Sequence, residues 1–180
     1  MNVRLISGKY GGRIIQGSGT DRTHPMGERV RNALFNKLGD TVEGAVVLDA
    51  FAGSGSIGLE ALSRGAKSAT FIEKDRVAQN IIEDNVKLVG AQDEASLIRT
   101  GVSQYLTTAK QEYDIIFADP PYDNPQLSTA MQLLGLLKPN GLMVLSYPGK
   151  GEIPAELGVV VVDNRSYGNA NLVFYRKESV

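Results

Sequence analysis

The chain has no cysteine and one histidine in 180 residues. The first absence removes disulfides, thiolate metal sites and cysteine nucleophiles. The second argues against a zinc centre built on histidine. No apolar run approaches the roughly 20 residues of a membrane span, and the N-terminus lacks an apolar signal-peptide core. A soluble, cytoplasmic protein without metal is the expectation. Repeats, low-complexity tracts and linker-like stretches are also missing, and the length suits one domain with one substantial core.

Net charge is −1, but it is unevenly spread. Residues 1–37 hold seven basic side chains against two acidic ones, a balance of +5, which leaves −6 for the remainder. A basic end on an acidic body hints at a nucleic-acid partner, although a solvated basic surface reads the same way.

Hydrophobic patterning sets out the elements. Arg4-Leu5-Ile6 and Arg13-Ile14-Ile15 flank a turn through Gly8, Gly11 and Gly12, which predicts a short N-terminal hairpin. Val30, Leu34 and Leu38 recur at helical spacing and predict a helix over 28–38. From Val46 the pattern alternates. Strands are expected at 46–48, 69–72, 96–98, 113–118, 142–145, 159–162 and 172–175, and helices at 57–64, 75–89 and 127–137. Strands divided by helices imply right-handed crossovers and a parallel sheet covered on both faces. The last two strands are separated by about nine polar residues, Asp163 to Asn171, too few for a crossover, so they should pair antiparallel.

Between the first sheet strand and its helix lies Asp49-Ala50-Phe51-Ala52-Gly53-Ser54-Gly55-Ser56-Ile57-Gly58. Gly53, Gly55 and Gly58 have the G-x-G-x-x-G spacing that permits a tight turn and close backbone approach to a ligand. That spacing alone does not separate NAD from S-adenosylmethionine. Asp49 can take a charge-assisted hydrogen bond from an ammonium, or it can cap the helix; a pyrophosphate would be repelled by it. Glu73 ends the next strand, about twenty residues after the first glycine, where an acid reads ribose hydroxyls. Together these residues favour S-adenosylmethionine.

The strand 113–118 runs into Asp119-Pro120-Pro121-Tyr122. The carboxyl end of a parallel strand is where open α/β sheets bind ligands. Two prolines fix φ and remove two N–H donors, which makes a rigid corner with outward carbonyls. A carboxylate, a fixed carbonyl and an aromatic ring suit the amino group of a planar base.

The combination resembles a class I S-adenosylmethionine-dependent methyltransferase of the amino-group type. The closing hairpin matches that class and not a dinucleotide dehydrogenase. The stretches Arg4 to Arg13 and His24 to Asn36, with Tyr167-Gly168 after Arg165, are similar to the RsmD family, and the likeness spans essentially the whole chain. Members of that family methylate the N2 amino group of a guanine in 16S ribosomal RNA. The resemblance implies an α/β fold with a Rossmann-like seven-stranded sheet and a short N-terminal hairpin extension over 1–22, followed by a methyltransferase domain over 23–180. It implies S-adenosylmethionine held by Asp49, Phe51, Gly53, Ser54, Gly55, Glu73, Val102 and Asp119. Asp119 and the Pro120 carbonyl would accept hydrogen bonds from the target amino group, and Tyr122 would stack on the base. Arg4, Lys9, Arg13, Arg29 and Arg31 would meet RNA, although a helix-surface salt bridge to Glu28 or a neighbour fits Arg29 or Arg31 equally well. The ribosomal RNA would be presented in the small subunit or an assembly intermediate. A monomer is expected.

Two departures stand out. His24-Pro25-Met26 replaces the Arg-Pro-Thr of many relatives, and Gly101-Val102 stands where many class members carry an acid for the adenine amino group. Adenine recognition then falls to the backbone around Val102 and to contacts the sequence does not name. Methylation of adenine N6 uses the same tetrapeptide and is the alternative, although DNA enzymes of that kind usually carry a target-recognition segment absent here. A non-catalytic RNA-binding or assembly protein is a third reading, disfavoured by the intact Asp49, Gly53, Gly55, Glu73 and Asp119.

Overall fold

The structure is a computed structural model that describes residues 1–18, 26–121, 123–148, 154–168 and 170–178. Seven strands form one sheet: β3 (Val46–Asp49), β4 (Ser68–Ile72), β5 (Ala95–Ile98), β6 (Tyr113–Ala118), β7 (Leu137–Pro148), β8 (Val159–Tyr167) and β9 (Ala170–Lys177). Their order across the sheet is β5-β4-β3-β6-β7-β9-β8. The first five run parallel, while β9 pairs antiparallel with both β7 and β8. The expected closing hairpin is therefore present, and the order reverses between β3 and β6. Such a switch point opens a crevice at the strand ends.

Helices α1 (Glu28–Leu38), α2 (Ser56–Ser63), α3 (Arg76–Val89), α4 (Val102–Thr108) and α5 (Leu127–Gln132) cover the sheet. The Asp75 side chain caps α3 by accepting the Ala78 N–H, which satisfies one of the orphan donors of the first turn. α4 was not anticipated, and the helix expected over 127–137 is α5 followed by a 3-10 turn at Leu133–Leu136. Residues Asp163 to Ser166, expected to lie between strands, pair with β9 as part of β8.

The two sheet faces carry separate apolar clusters. One gathers Phe35, Leu62, Phe71 and Phe117, and the other gathers Tyr105, Tyr113, Leu134 and Met143. The N-terminal hairpin, β1 (Asn2–Arg4) with β2 (Ile14–Gln16), belongs to the first. Its Val3, Leu5, Tyr10 and Ile15 are buried in that cluster, so the extension is packed against the body. Backbone bonds complete the docking. The Glu60 carboxylate accepts the Ile6 and Ser7 N–H groups at 2.8 and 3.1 Å. Ser63 accepts the Tyr10 N–H at 2.9 Å and donates to the Ser7 carbonyl at 2.5 Å. Gly8, at φ +85°, lies so close that a Cβ there would meet the Ser63 carbonyl oxygen at 1.8 Å. Glycine is what permits this approach.

Candidate active site

Loop 50–55 leaves β3 and delivers the chain to α2. Gly55 is the N-cap in a left-handed conformation, φ 82°. A Cβ on Gly58 would come within 2.4 Å of the Phe71 ring, so helix and strand pack at a distance that only glycine allows. The loop is held from two sides. Glu73 accepts the Gly53 N–H at 2.9 Å and, with its other oxygen, the Asp75 N–H at 2.7 Å. Asn85 on α3 donates to the Ser54 carbonyl at 2.9 Å and to the Gln16 carbonyl at 2.8 Å, and accepts the Gln16 N–H. One carboxamide thus fastens both the hairpin and the glycine loop.

A cleft of about 690 Å3 opens above the carboxyl ends of the strands, within the usual size for a small-molecule site. Phe51, Gly53, Ser54, Glu73, Val102 and Asp119 line it, as do Pro120 and Pro121. Asp49 and Gly55 lie beneath the lining. Asp49 is 1% exposed and accepts the Gly58 N–H at 2.9 Å, the capping alternative of the two weighed from sequence. Burial pushes its carboxyl up to about 8, the Gly58 bond opposes this, and Asp119 and Glu73 add to it.

Asp119 follows β6 and is partly open to the cleft. Burial pushes its carboxyl up to about 7, against a hydrogen bond from Ser146 on the neighbouring β7. Pro120 is buried. The corner therefore offers a proton acceptor poised near neutrality on a backbone with little freedom. Tyr122, His24 and Pro25 lie outside the described residues. Several lining residues carried no sequence signal, among them Lys74, Ser103, Gln104 and Asn124. Lys74 and Asn124 sit on connections and Ser103 and Gln104 in the first turn of α4; no motif marks these polar positions, and only closure of the fold gathers them.

Residues 3–176 match the family described as conserved hypothetical protein 95. The chain belongs to this family, which is the RsmD family indicated by its motifs. Ribosomal RNA small subunit methyltransferase D of Haemophilus influenzae is 36% identical over 147 residues, covering 78% of this chain and 76% of that protein. The Bacillus subtilis protein YlbH is 31% identical over 97% of this chain and 99% of its own length. The solved structure of Escherichia coli yhhF superposes with a TM-score of 0.90 at 29% identity, covering the whole of both chains.

In this RsmD-family chain the basic residues of the N-terminal region divide by environment. Arg4 pairs with Glu28 and Lys9 with Glu94, while Arg13 donates to the Leu88 carbonyl at 2.6 Å. All three remain on the surface. Arg29 is exposed, and its side chain makes no hydrogen bond or ion pair among the described residues. Arg31 differs from the expectation of an RNA contact. It is 1% exposed, lies 3.6 Å from the fully buried Glu60, and donates to the Arg4 carbonyl. Its guanidinium is an internal tie between α1, α2 and the hairpin. Tyr10 of the hairpin is 8% exposed and packs in the first apolar cluster.

Proposed function

We propose that this chain transfers a methyl group from S-adenosylmethionine to the N2 amino group of a guanine in 16S ribosomal RNA. The observation that carries the reading is the shared cleft: the Asp119–Pro120 corner opens into the same space as the glycine loop and Glu73. The family and the name of its Haemophilus relative supply the RNA substrate class.

The cleft fits the donor. Glu73, Asp75, Asp119 and Asp123 line it, with Lys74 as the one cation among its described lining residues. Such a wall favours a ligand carrying ammonium and sulfonium charges and disfavours a pyrophosphate. Glu73 would read the ribose hydroxyls, and the glycine loop would take the amino-acid moiety. When bound, S-adenosylmethionine supplies a methyl group activated by its positively charged sulfur.

The protein's own contribution is to position and polarise the acceptor. An exocyclic amino nitrogen is a poor nucleophile because its lone pair is delocalised into the ring. The Asp119 carboxylate and the Pro120 carbonyl accept its two N–H groups and turn the lone pair toward the donor. The same acceptors stabilise the positive charge that grows on nitrogen, and holding both reactants in one cleft removes much of the entropic barrier. An Asp119 carboxyl near 7 is then suited to take the surplus proton and return it to solvent at the cleft mouth. The base must leave its stack to reach this corner, and Tyr122 is assigned to stack on it.

Unmodified small ribosomal subunits and their naked RNA, incubated with the protein and labelled donor and digested to nucleosides, test the reading. Label in N2-methylguanosine is the expected result. Label in N6-methyladenosine would replace guanine with adenine as the target.

A further inference from the structure

We propose that Gln104 reads the base of the methyl donor in place of the acid missing at position 101. The inference rests on the assignment of S-adenosylmethionine to the cleft.

Strand order lays the donor site out as a ruler. The neighbours β6, β3, β4 and β5 end in Asp119, the glycine loop, Glu73 and the segment Thr100–Gln104, and each of these borders the cleft. Adjacent strands are about 4.8 Å apart. A ligand with its reacting end at Asp119 and its ribose at Glu73 must therefore carry its base one strand further, over the end of β5. The Glu73 N–H donates to the Ile98 carbonyl at 3.3 Å, so these two strand ends are directly joined.

The side chains at the end of β5 leave few readers. Position 101 is glycine, and a Cβ there would approach nothing closer than the Lys74 Cβ and Cδ at 3.9 Å, so that floor is flat and open. Val102 is apolar and buried. Thr100 and Ser103 each offer one hydroxyl. Gln104 alone in this segment carries a donor and an acceptor on separate atoms. It is exposed in the first turn of α4, and its backbone carbonyl accepts the Thr107 hydroxyl. No partner holds its carboxamide among the described residues. α4 itself is fixed, because Tyr105 in its middle shares a hydrogen bond of 2.5 Å with Tyr113 of β6. A purine with an exocyclic amine presents a donor beside ring acceptors, the pattern that a carboxamide meets with two parallel bonds.

Calorimetric titration with S-adenosylhomocysteine tests this without requiring turnover. Gln104→Met keeps the length of the side chain and deletes the amide. It is expected to weaken binding about tenfold and to leave the melting temperature of the unliganded protein unchanged. S-ribosylhomocysteine, the same ligand without its base, should compete equally well for both proteins. Binding of S-adenosylhomocysteine by Gln104→Met within twofold of wild type would overturn the inference, as would an equal loss for both ligands. Failure of the wild-type protein to bind S-adenosylhomocysteine would instead remove the donor assignment itself, and this inference with it.

Discussion

Glu60 and Arg31 meet 3.6 Å apart, at 0% and 1% exposure. Glu60 also accepts two hairpin N–H groups and pairs with Arg64 at 3.0 Å, so one carboxylate joins α1, α2 and the hairpin. Removing one member of such a buried set leaves the others without compensation. Glu60→Ala should lower unfolding free energy by about 3–5 kcal/mol. Urea denaturation measures this, and a loss below about 1 kcal/mol would show that water or rearrangement satisfies the site.

Asn85 supplies the second tie, between Gln16 and Ser54. It is 1% exposed, so Asn85→Ala leaves buried backbone groups unpaired and should cost roughly 1–3 kcal/mol. Because one of those groups belongs to the glycine loop, donor affinity should fall too. Calorimetry with S-adenosylhomocysteine at a temperature where the variant stays folded separates the two effects. Unchanged affinity would show that the loop holds its shape without Asn85.

The raised carboxyls give opposite pH trends for activity and stability. In the proposed mechanism methyl transfer needs Asp119 ionised, so kcat/KM should rise with pH and level off above about 7. For stability, the folded state holds these protons more tightly than the unfolded chain, whose carboxyls titrate near about 4. The advantage is complete below that value and is lost as pH climbs through about 7 for Asp119 and about 8 for Asp49. Asp119→Asn should therefore be more stable than wild type at pH 8, by on the order of 1–3 kcal/mol, and nearly equal at pH 4. Parallel stability curves for the two proteins across that range would contradict the assignment.

Salt dependence of RNA binding distinguishes the arginines. Arg29 is exposed without an internal partner among the described residues, whereas Arg4 and Lys9 each hold an acid. Arg29→Ala should reduce the slope of log affinity against log salt by about 1, and Arg4→Ala by less. Arg31→Met should change the slope little and act through stability. A full-sized slope change for Arg31→Met with unaltered folding would place that residue at the RNA after all.

The elements with strong periodicity or caps were legible in the sequence. α1 spans the predicted 28–38, and the Asp75-capped α3 and the β6 strand fall where expected. α4 escaped because seven residues with only Val102 and Tyr105 buried make too few turns for a helical period to register. β8 was cut short for a different reason. It is an edge strand, so Asp163 to Ser166 stay hydrated while pairing, and a register shift between Val161 and Asp163 breaks the alternation.

Site residues followed a similar rule. Motifs that bring their own backbone geometry, such as Gly53 to Gly58 or Asp119-Pro120, could be placed from their order along the chain. Arg31 could not, since a charged side chain reads as surface until the fold supplies its partner, here a glutamate 29 positions away. The hairpin cations were legible as charges but not as partners of Glu28, Glu94 and the Leu88 carbonyl.

Asp119 borders the donor cleft, but its proposed main role is to polarise the acceptor amino group, with little effect on donor affinity. Asp119→Ala, assayed for labelled methyl transfer to unmodified small-subunit RNA and titrated in parallel with S-adenosylhomocysteine, addresses it directly. Transfer should fall by about 100-fold or more, with donor affinity within a few-fold of wild type. Transfer at the wild-type rate, or a loss of transfer matched by an equal loss of donor binding, would contradict it.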